Sequence, residues 1–143
     1  MSRDPRLARR ASYRFWTRDT IRFSDTDMAG HVNNVAMCAY LETGRLLFVR
    51  EIRLRDRPPP QRGIAAGLNV SFLRESHWPG EVEIGCGVVR IGNASLNIGG
   101  GVFIGDACIA AAEMTIVNLS GSAPAPFDAE TRAKLERWLL PVV

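Results

Sequence analysis

No run of apolar residues in this chain is long enough to cross a membrane. Apolar runs such as residues 46–49 fall far short of the roughly 20 residues that a transmembrane helix needs. At 143 residues the chain has the length of one ordinary domain. Hydrophobic residues make up 46% and charged residues 23%, which excludes general disorder and a fibrous chain. The composition predicts one soluble domain with its own core.

Cysteine is scarce, and the three residues present lie far apart. Cys38, Cys86 and Cys108 show neither metal-ligand nor redox spacing. We expect buried thiols in a reducing cytoplasm, with no metal site and no cofactor. The chain also lacks the dense basic patch with interleaved aromatic residues that nucleic-acid binding requires. Its net charge of +3 would instead suit an anionic ligand.

The first twelve residues are rich in arginine but are followed by no apolar stretch. A secretory signal would need such a stretch. We therefore expect residues 1–12 to form a disordered basic tail. An organelle transit peptide and a contact for an acidic partner are the alternatives. Residues 13–120 would then form the domain, and residues 121–143 a loop and a helix that extend it.

Hydrophobic periodicity predicts a strand followed by a long helix in the first part of the domain. Residues 13–24 are rich in aromatic and β-branched residues, and residues 33–52 contain helix formers and no proline. Asn33 or Asn34 can cap the helix with a side-chain oxygen. Apolar residues on many sides predict a helix wrapped by other structure, and Gly44 predicts close approach of another backbone.

Alternation with a period of two predicts a series of strands over residues 63–119. Short turns divide the series, which indicates an antiparallel meander. Three consecutive glycines at 99–101 lie inside one strand and indicate a bulge, strong curvature or close packing against a broad element, for which the helix is the candidate. The turns are expected at residues 78–80, 92–93 and 105–106.

Two further segments complete the predicted architecture. The charged, proline-rich residues 53–62 predict an exposed linker without function. Asp128 is a suitable cap for a terminal helix over residues 129–140. One long helix followed by a curved antiparallel sheet of about five strands is an α+β arrangement. The simplest packing wraps the sheet around the central helix, with the C-terminal helix outside it.

The densest chemistry lies between the first strand and the helix, in residues 25–34. This segment reads Asp-Thr-Asp-Met-Ala-Gly-His-Val-Asn-Asn. It holds two carboxylates, a glycine, one of only two histidines in the chain and two side-chain amides. Asp25 is expected to be a turn or capping residue, and His77, which lies in a later turn, to be incidental. Residues 25–34 are therefore the candidate site.

This segment, together with Tyr40-Leu41-Glu42 and Arg45, resembles hotdog-fold acyl-CoA thioesterases of the 4-hydroxybenzoyl-CoA thioesterase type. The family pattern is an Asp, a Gly and His-Val-Asn-Asn, followed by a helix with Tyr-Leu-Glu and an Arg. The resemblance extends over about residues 14–119. Two positions depart from it: Ala29 stands where the plant acyl-carrier-protein thioesterases have Asn, and Met37 where the family often has Tyr.

The resemblance implies hydrolysis of an acyl-CoA or acyl-carrier-protein thioester to free acid and thiol. Asp27 would be the nucleophile or the general base. The backbone N–H groups of Gly30 and His31 would form the oxyanion hole, and the His31 side chain would orient the thioester or a water. The arginines would hold the phosphate end of the substrate. The expected substrate-binding residues are Asn33, Asn34, Glu42, Arg74 and Arg90.

The resemblance also implies a homodimer or a dimer of dimers, with each active site at the subunit interface. Pairing would cover exposed sheet edges and apolar surface. Two other functions remain open. One is a hotdog hydratase or dehydratase that acts on enoyl thioesters through a histidine and a carboxylate. The other is a non-catalytic acyl-CoA-binding module, which the departures at Ala29 and Met37 would allow.

Overall fold

The alternating apolar residues of the second half of the chain form one antiparallel sheet. The computed structural model describes residues 4–142, most of which lie in five long strands and two α-helices. The helices are α1 (Asn34–Glu51) and α2 (Ala129–Glu136). The strands are β1 (Phe15–Ile21), β2 (Gln61–Phe72), β3 (Gly80–Ile91), β4 (Ser95–Ile104) and β5 (Ala107–Ser120), with a short β6 (Ala123–Pro124).

The strands lie in the order β1–β3–β4–β5–β2, and neighbouring strands are antiparallel. Strands β3, β4 and β5 form the predicted meander. Strand β2 departs from it, because β2 pairs with β5 at the far edge and not with β3. Residues 73–79 therefore lead from one edge of the sheet to a strand near the other. They pass the start of α1, where the N–H of Val32 donates to the carbonyl of Ser76 at 2.8 Å.

Helix α1 begins where the sequence predicts, because Asn33 caps it. Its Oδ1 accepts a hydrogen bond from the N–H of Ala36 at 2.7 Å. The structure buries less of the helix than predicted: Leu46 and Leu47 are 45% and 37% exposed. The buried residues of α1 form one stripe, which comprises Ala36, Met37, Tyr40, Leu41, Gly44, Phe48 and Val49.

Among residues 4–142, no helix combines the length and apolarity that a membrane span requires.

Glycines allow close contacts on both faces of the sheet. A Cβ at Gly44 would lie 2.5 Å from a side-chain carbon of β3, so α1 does approach the sheet closely here, but the nearest atoms belong to side chains and not to the backbone that the sequence predicts. The glycines of β4 face in two directions. A Cβ at Gly100 would lie 3.5 Å from Leu41 of the helix, whereas a Cβ at Gly99 would lie 2.4 Å from Leu7. The prediction of packing against the helix is therefore correct for Gly100 and wrong for Gly99.

The structure differs from the predicted disordered tail over residues 4–12. These residues form two short 3₁₀ helices, Pro5–Ala8 and Arg10–Ser12. Leu7 is only 2% exposed, because it enters the space that the missing side chains of β4 glycines leave open. Burial of this leucine offsets the entropy cost of ordering the segment. The first three residues of the predicted tail lie outside the described part of the chain.

Helix α2 begins after Asp128, as predicted. The Asp128 carboxylate accepts a hydrogen bond from the N–H of Thr131 at 2.7 Å, and this bond lowers the pKa of Asp128. The helix ends at Glu136, short of the predicted end at Leu140. The N–H of Leu140 instead donates to the carbonyl of Val88 at 2.8 Å. The end of the chain thus pairs with a part of β3 that β1 does not reach.

Candidate functional site

The loop before α1 is closed by hydrogen bonds around Asp27. Its Oδ1 accepts from the N–H groups of Ala29 at 2.9 Å and His31 at 3.1 Å. Its own N–H donates to the carbonyl of His31 at 2.8 Å, and Gly30, with φ +83°, donates to its carbonyl at 3.0 Å. The loop leaves Oδ2 of Asp27 without a hydrogen-bond partner among residues 4–142.

A cavity of about 280 Å³ opens beside this loop. The loop and the first turn of α1 form one wall, and the end of β2 with the residues after it forms the other. Charged and polar side chains therefore meet an apolar surface in one small space. Its polar lining is Asp27, His31, Asn34, Arg74 and Glu75, and its apolar lining includes Val32, Met37 and Phe72.

The backbone N–H groups predicted to form the oxyanion hole, those of Gly30 and His31, already donate hydrogen bonds within the loop. The N–H of Gly30 donates to a carbonyl of the loop, and the N–H of His31 donates to Asp27. The first turn of a helix has orphan N–H groups. Within the described chain, the N–H groups of Asn34 and Val35 have no hydrogen-bond acceptor. Of these two residues, Asn34 lines the cavity.

A second, larger groove of about 520 Å³ lies between α1 and the start of β2. Its arginines belong largely to residues 53–62, so the prediction of a linker without function missed a cationic surface. The signal was present, because arginines recur through that segment. Desolvation by burial lowers the pKa of Arg57, so this guanidinium is partly withdrawn from water. The charged lining of the groove is Glu42, Arg45, Arg55, Arg57 and Arg62.

Three side chains that sequence spacing did not connect meet at the rim of the first cavity. His31 and His77 pair across an isolated antiparallel bridge, and their ring centroids are 5.0 Å apart. Nε2 of His31 lies 3.2 Å from Oε2 of Glu75. The sequence predicted no metal site and an incidental role for His77. The structure instead groups three possible metal ligands whose donor atoms lie within 4.8 Å of one another.

A sequence model of the thioesterase-like superfamily matches residues 21–135, which include the closed loop, α1 and the whole sheet except β1. The chain belongs to the thioesterase-like superfamily. The predicted hotdog thioesterase family is therefore confirmed. Membership supports thioesterase activity in general.

Solved structures and one curated relative are similar to this chain. The PA5185 protein of Pseudomonas aeruginosa shares the fold with a TM-score of 0.79, 24% identity and coverage of 94% of this chain and 98% of that one. A Thermus thermophilus thioesterase, solved with coenzyme A and zinc, has a TM-score of 0.76 at 27% identity and coverage of 89% and 95%. The uncharacterized protein YsmA of Bacillus subtilis is 27% identical over 89 residues, which span 62% of this chain and 60% of that relative.

The predicted substrate-binding residues divide among three places in this thioesterase-like fold. Asn34 and Arg74 line the cavity beside Asp27, whereas the Asn33 side chain is engaged as the helix cap. Glu42 lines the arginine groove. Arg90 is exposed on β3 and lines neither the cavity nor the groove.

Asp25 connects the loop to the helix. Its carbonyl accepts from the N–H of Asn33 at 2.9 Å, and its Oδ2 accepts from the N–H of Arg22 at 2.9 Å and from the hydroxyl of Tyr40. Tyr40 is 1% exposed. Burial is the largest cause that raises the pKa of Tyr40 well above its ordinary value of 10.0, and this hydrogen bond is the second. The expectation of a turn or capping role for Asp25 agrees with these contacts. Tyr40, which the sequence resemblance includes without a role, donates a hydrogen bond to Asp25 at the start of the loop.

Replacing Tyr40 with phenylalanine should destabilise the chain by about 1.5–3 kcal/mol, because it removes a hydrogen bond to a charged carboxylate. Tyr13→Phe is the matched control, since the Tyr13 hydroxyl donates to the neutral carbonyl of Leu7 at 2.7 Å. Denaturant unfolding of both variants measures the difference. An equal loss in the two variants would contradict the special role of Asp25.

The same contact predicts a decline in stability at high pH. The folded chain keeps the Tyr40 proton at pH values above 10.0, where the unfolded chain releases it. The free energy of unfolding therefore falls as pH rises above 10.0. This slope should be smaller in Tyr40→Phe than in the native chain, and the same unfolding measurements, repeated at several alkaline pH values, test it.

Proposed function

We propose that this protein hydrolyses an acyl-CoA or acyl-carrier-protein thioester to a free acid and a thiol. One observation carries the proposal: Asp27 and Asn34 line the same cavity, and within residues 4–142 neither Oδ2 of Asp27 nor the backbone N–H of Asn34 has a hydrogen-bond partner. Thioester hydrolysis needs an attacking or activating group and a donor for the oxyanion. The related Thermus thioesterase was solved with coenzyme A, which supports a coenzyme A thioester as substrate.

Asp27 would attack the thioester carbonyl itself or remove a proton from an attacking water. The hydrogen bonds from the N–H groups of Ala29 and His31 engage Oδ1 of this carboxylate. They also hold it in one orientation, with Oδ2 free to react. In the general-base role, the water oxygen bonds to the carbonyl carbon, the carbon–sulfur bond breaks, and the proton held by Asp27 passes to the leaving thiolate. In the nucleophile role, the thiolate leaves as an acyl-Asp27 anhydride forms; water then hydrolyses the anhydride to the free acid and the Asp27 carboxylate, and a proton of that water neutralises the thiolate.

The N–H of Asn34 would stabilise the oxyanion that forms during the attack. It is the first residue of α1, where unpaired donors and the helix dipole favour negative charge. This assignment replaces the Gly30 and His31 donors predicted from sequence, which the loop already uses. The His31 side chain would orient the thioester or the water, and Arg74 would contact a substrate phosphate.

A homodimer would complete this site. Among residues 4–142, β2 pairs along one edge only, with β5, and it exposes Ile64, Leu68 and Phe72 by 42%, 49% and 46%. Two copies that pair their β2 edges antiparallel would cover these side chains. Such pairing sets the end of β2, beside the Asp27 cavity, against the start of β2 in the second copy. The arginine groove of one subunit would then approach the cavity of the other, where it could hold coenzyme A phosphates.

Replacing Leu68 with aspartate should convert a dimer or tetramer to a monomer and abolish activity, because it places a charge on the proposed interface. Light scattering after gel filtration measures the mass, which for the single chain is 15.8 kDa. Ile104→Asp is the control, since Ile104 is 39% exposed at the far end of β4. A native chain that is monomeric, or an unchanged mass in Leu68→Asp, would exclude pairing through β2.

The proposed function is tested by assaying thiol release from a panel of short, long, branched and aromatic acyl-CoAs. Hydrolysis of one class well above the background rate would support the proposal and identify the acyl group. Hydration of crotonyl-CoA without thiol release would favour the hydratase. Tight binding of an acyl-CoA that remains intact for hours would favour the non-catalytic module.

A further inference from the structure

Two separate segments of the chain pair at one place and bring together the side chains of His31, Glu75 and His77. The antiparallel bridge between His31 and His77 places their side chains as cross-strand neighbours. Glu75 lies two residues before His77, a spacing that returns an extended chain to the same side. The result is the 3.2 Å contact between Nε2 of His31 and Oε2 of Glu75, with the His77 ring beside it.

The spacing of these donor atoms suits a tetrahedral metal site. Two ligands at about 2.0–2.1 Å from a zinc ion lie roughly 3.3 Å apart at the tetrahedral angle. The separation of His31 and Glu75 already matches this value. The remaining donor separations do not exceed 4.8 Å. Rotation of exposed side chains can close that difference, and both Glu75 and His77 are exposed.

We propose that His31, Glu75 and His77 bind a divalent transition-metal ion, with Zn²⁺ the best match. Two imidazoles and one carboxylate form a known zinc ligand set that leaves a fourth position open. Imidazole nitrogen disfavours Mg²⁺ and Ca²⁺, which prefer oxygen ligands. The proposal concerns metal binding alone and does not depend on thioester hydrolysis.

A bound ion would link two segments that the chain connects only through α1 and β2. His31 belongs to the closed loop of Asp27, and the other two ligands belong to the 73–79 connection. Both His31 and Glu75 line the cavity, so the ion would add positive charge at its rim. Since the unfolded chain does not hold these ligands together, binding should stabilise the folded state in proportion to the logarithm of metal concentration.

The test uses untagged full-length protein from which metal has been removed with a chelator. Titration calorimetry with ZnCl₂ should give one equivalent bound, with a dissociation constant in the micromolar range or tighter, and MgCl₂ should give no binding. Zn²⁺ should also raise the Tm. His77→Ala and Glu75→Gln should each weaken Zn²⁺ binding by at least about tenfold. Both variants should fold, because Glu75 and His77 are exposed and their substitution removes no buried side chain.

Cys38→Ser is the control, because Cys38 is a partly exposed thiol that does not belong to the cluster. It should leave Zn²⁺ binding and the Tm increase unchanged. Absence of Zn²⁺ binding to the native chain would overturn the proposal. So would native affinity in His77→Ala, or loss of binding in Cys38→Ser.

Discussion

The Asp27→Asn variant should release thiol from its preferred acyl-CoA about 10²–10⁴-fold more slowly than the native chain. Asparagine keeps the shape of aspartate, and its carbonyl oxygen can still accept from the N–H groups of Ala29 and His31. The loop should therefore retain its conformation, and the rate should fall because the negative charge is lost. Thiol release measured under saturating substrate, with the Tm as a check of folding, gives the result.

Asp106→Asn is the matched control, because Asp106 is an exposed aspartate in the turn between β4 and β5. This variant should keep the native rate. Equal rates in Asp27→Asn and native protein would contradict the proposed mechanism. Rapid quenching followed by intact-mass measurement separates the two roles of Asp27: an acylated chain indicates a nucleophile, and its absence during rapid turnover indicates a general base.

Replacing Leu7 with alanine should destabilise the chain by about 2–5 kcal/mol, the usual loss for a buried leucine. Leu7 is 2% exposed, and its side chain occupies the space beside Gly99, where an added Cβ would lie only 2.4 Å from it. The substitution therefore leaves a cavity against β4. For a chain of this size, a loss of about 3 kcal/mol corresponds to a fall in Tm of roughly 6–12 °C. Thermal unfolding measures it.

Leu139→Ala is the control for this substitution, since Leu139 is 39% exposed. It removes the same atoms from a less buried position, so its loss should be clearly smaller. A loss below about 0.5 kcal/mol in Leu7→Ala, the range typical of surface substitutions, would show that residues 4–12 do not stabilise the sheet.

Features set by neighbouring residues could be predicted from the sequence. Asn33 caps α1 and Asp128 caps α2 because a side-chain oxygen reaches an N–H three residues later. The strands β3, β4 and β5 follow from alternation and turn residues over short distances. The candidate loop was recognisable for the same reason, since Asp27, Gly30 and His31 are close in the chain and their types suggest chemistry.

Features that depend on distant contacts could not be predicted. Nothing in the glycines at 99–101 specifies that Leu7, far away in sequence, packs against one of them. The N–H groups of Gly30 and His31 precede the helix, but whether they are free depends on how the loop closes around Asp27. His77 follows a strand in sequence, and only the crossing of residues 73–79 past the loop brings it to His31.

The amino-acid pattern was sufficient for the α+β class, the positions of the helix and most strands, the family, and Asp27 as the residue to test. Periodicity, capping and turn formation depend on residues only a few positions apart, so they can be predicted from the sequence. The pairing of β2 with β5, the order in residues 4–12, the engaged and unengaged donors around Asp27, and the grouping of His31 with Glu75 and His77 came from folding in three dimensions. Each of these features depends on contacts between segments that are far apart in the sequence. Those segments come together only when the whole core is packed.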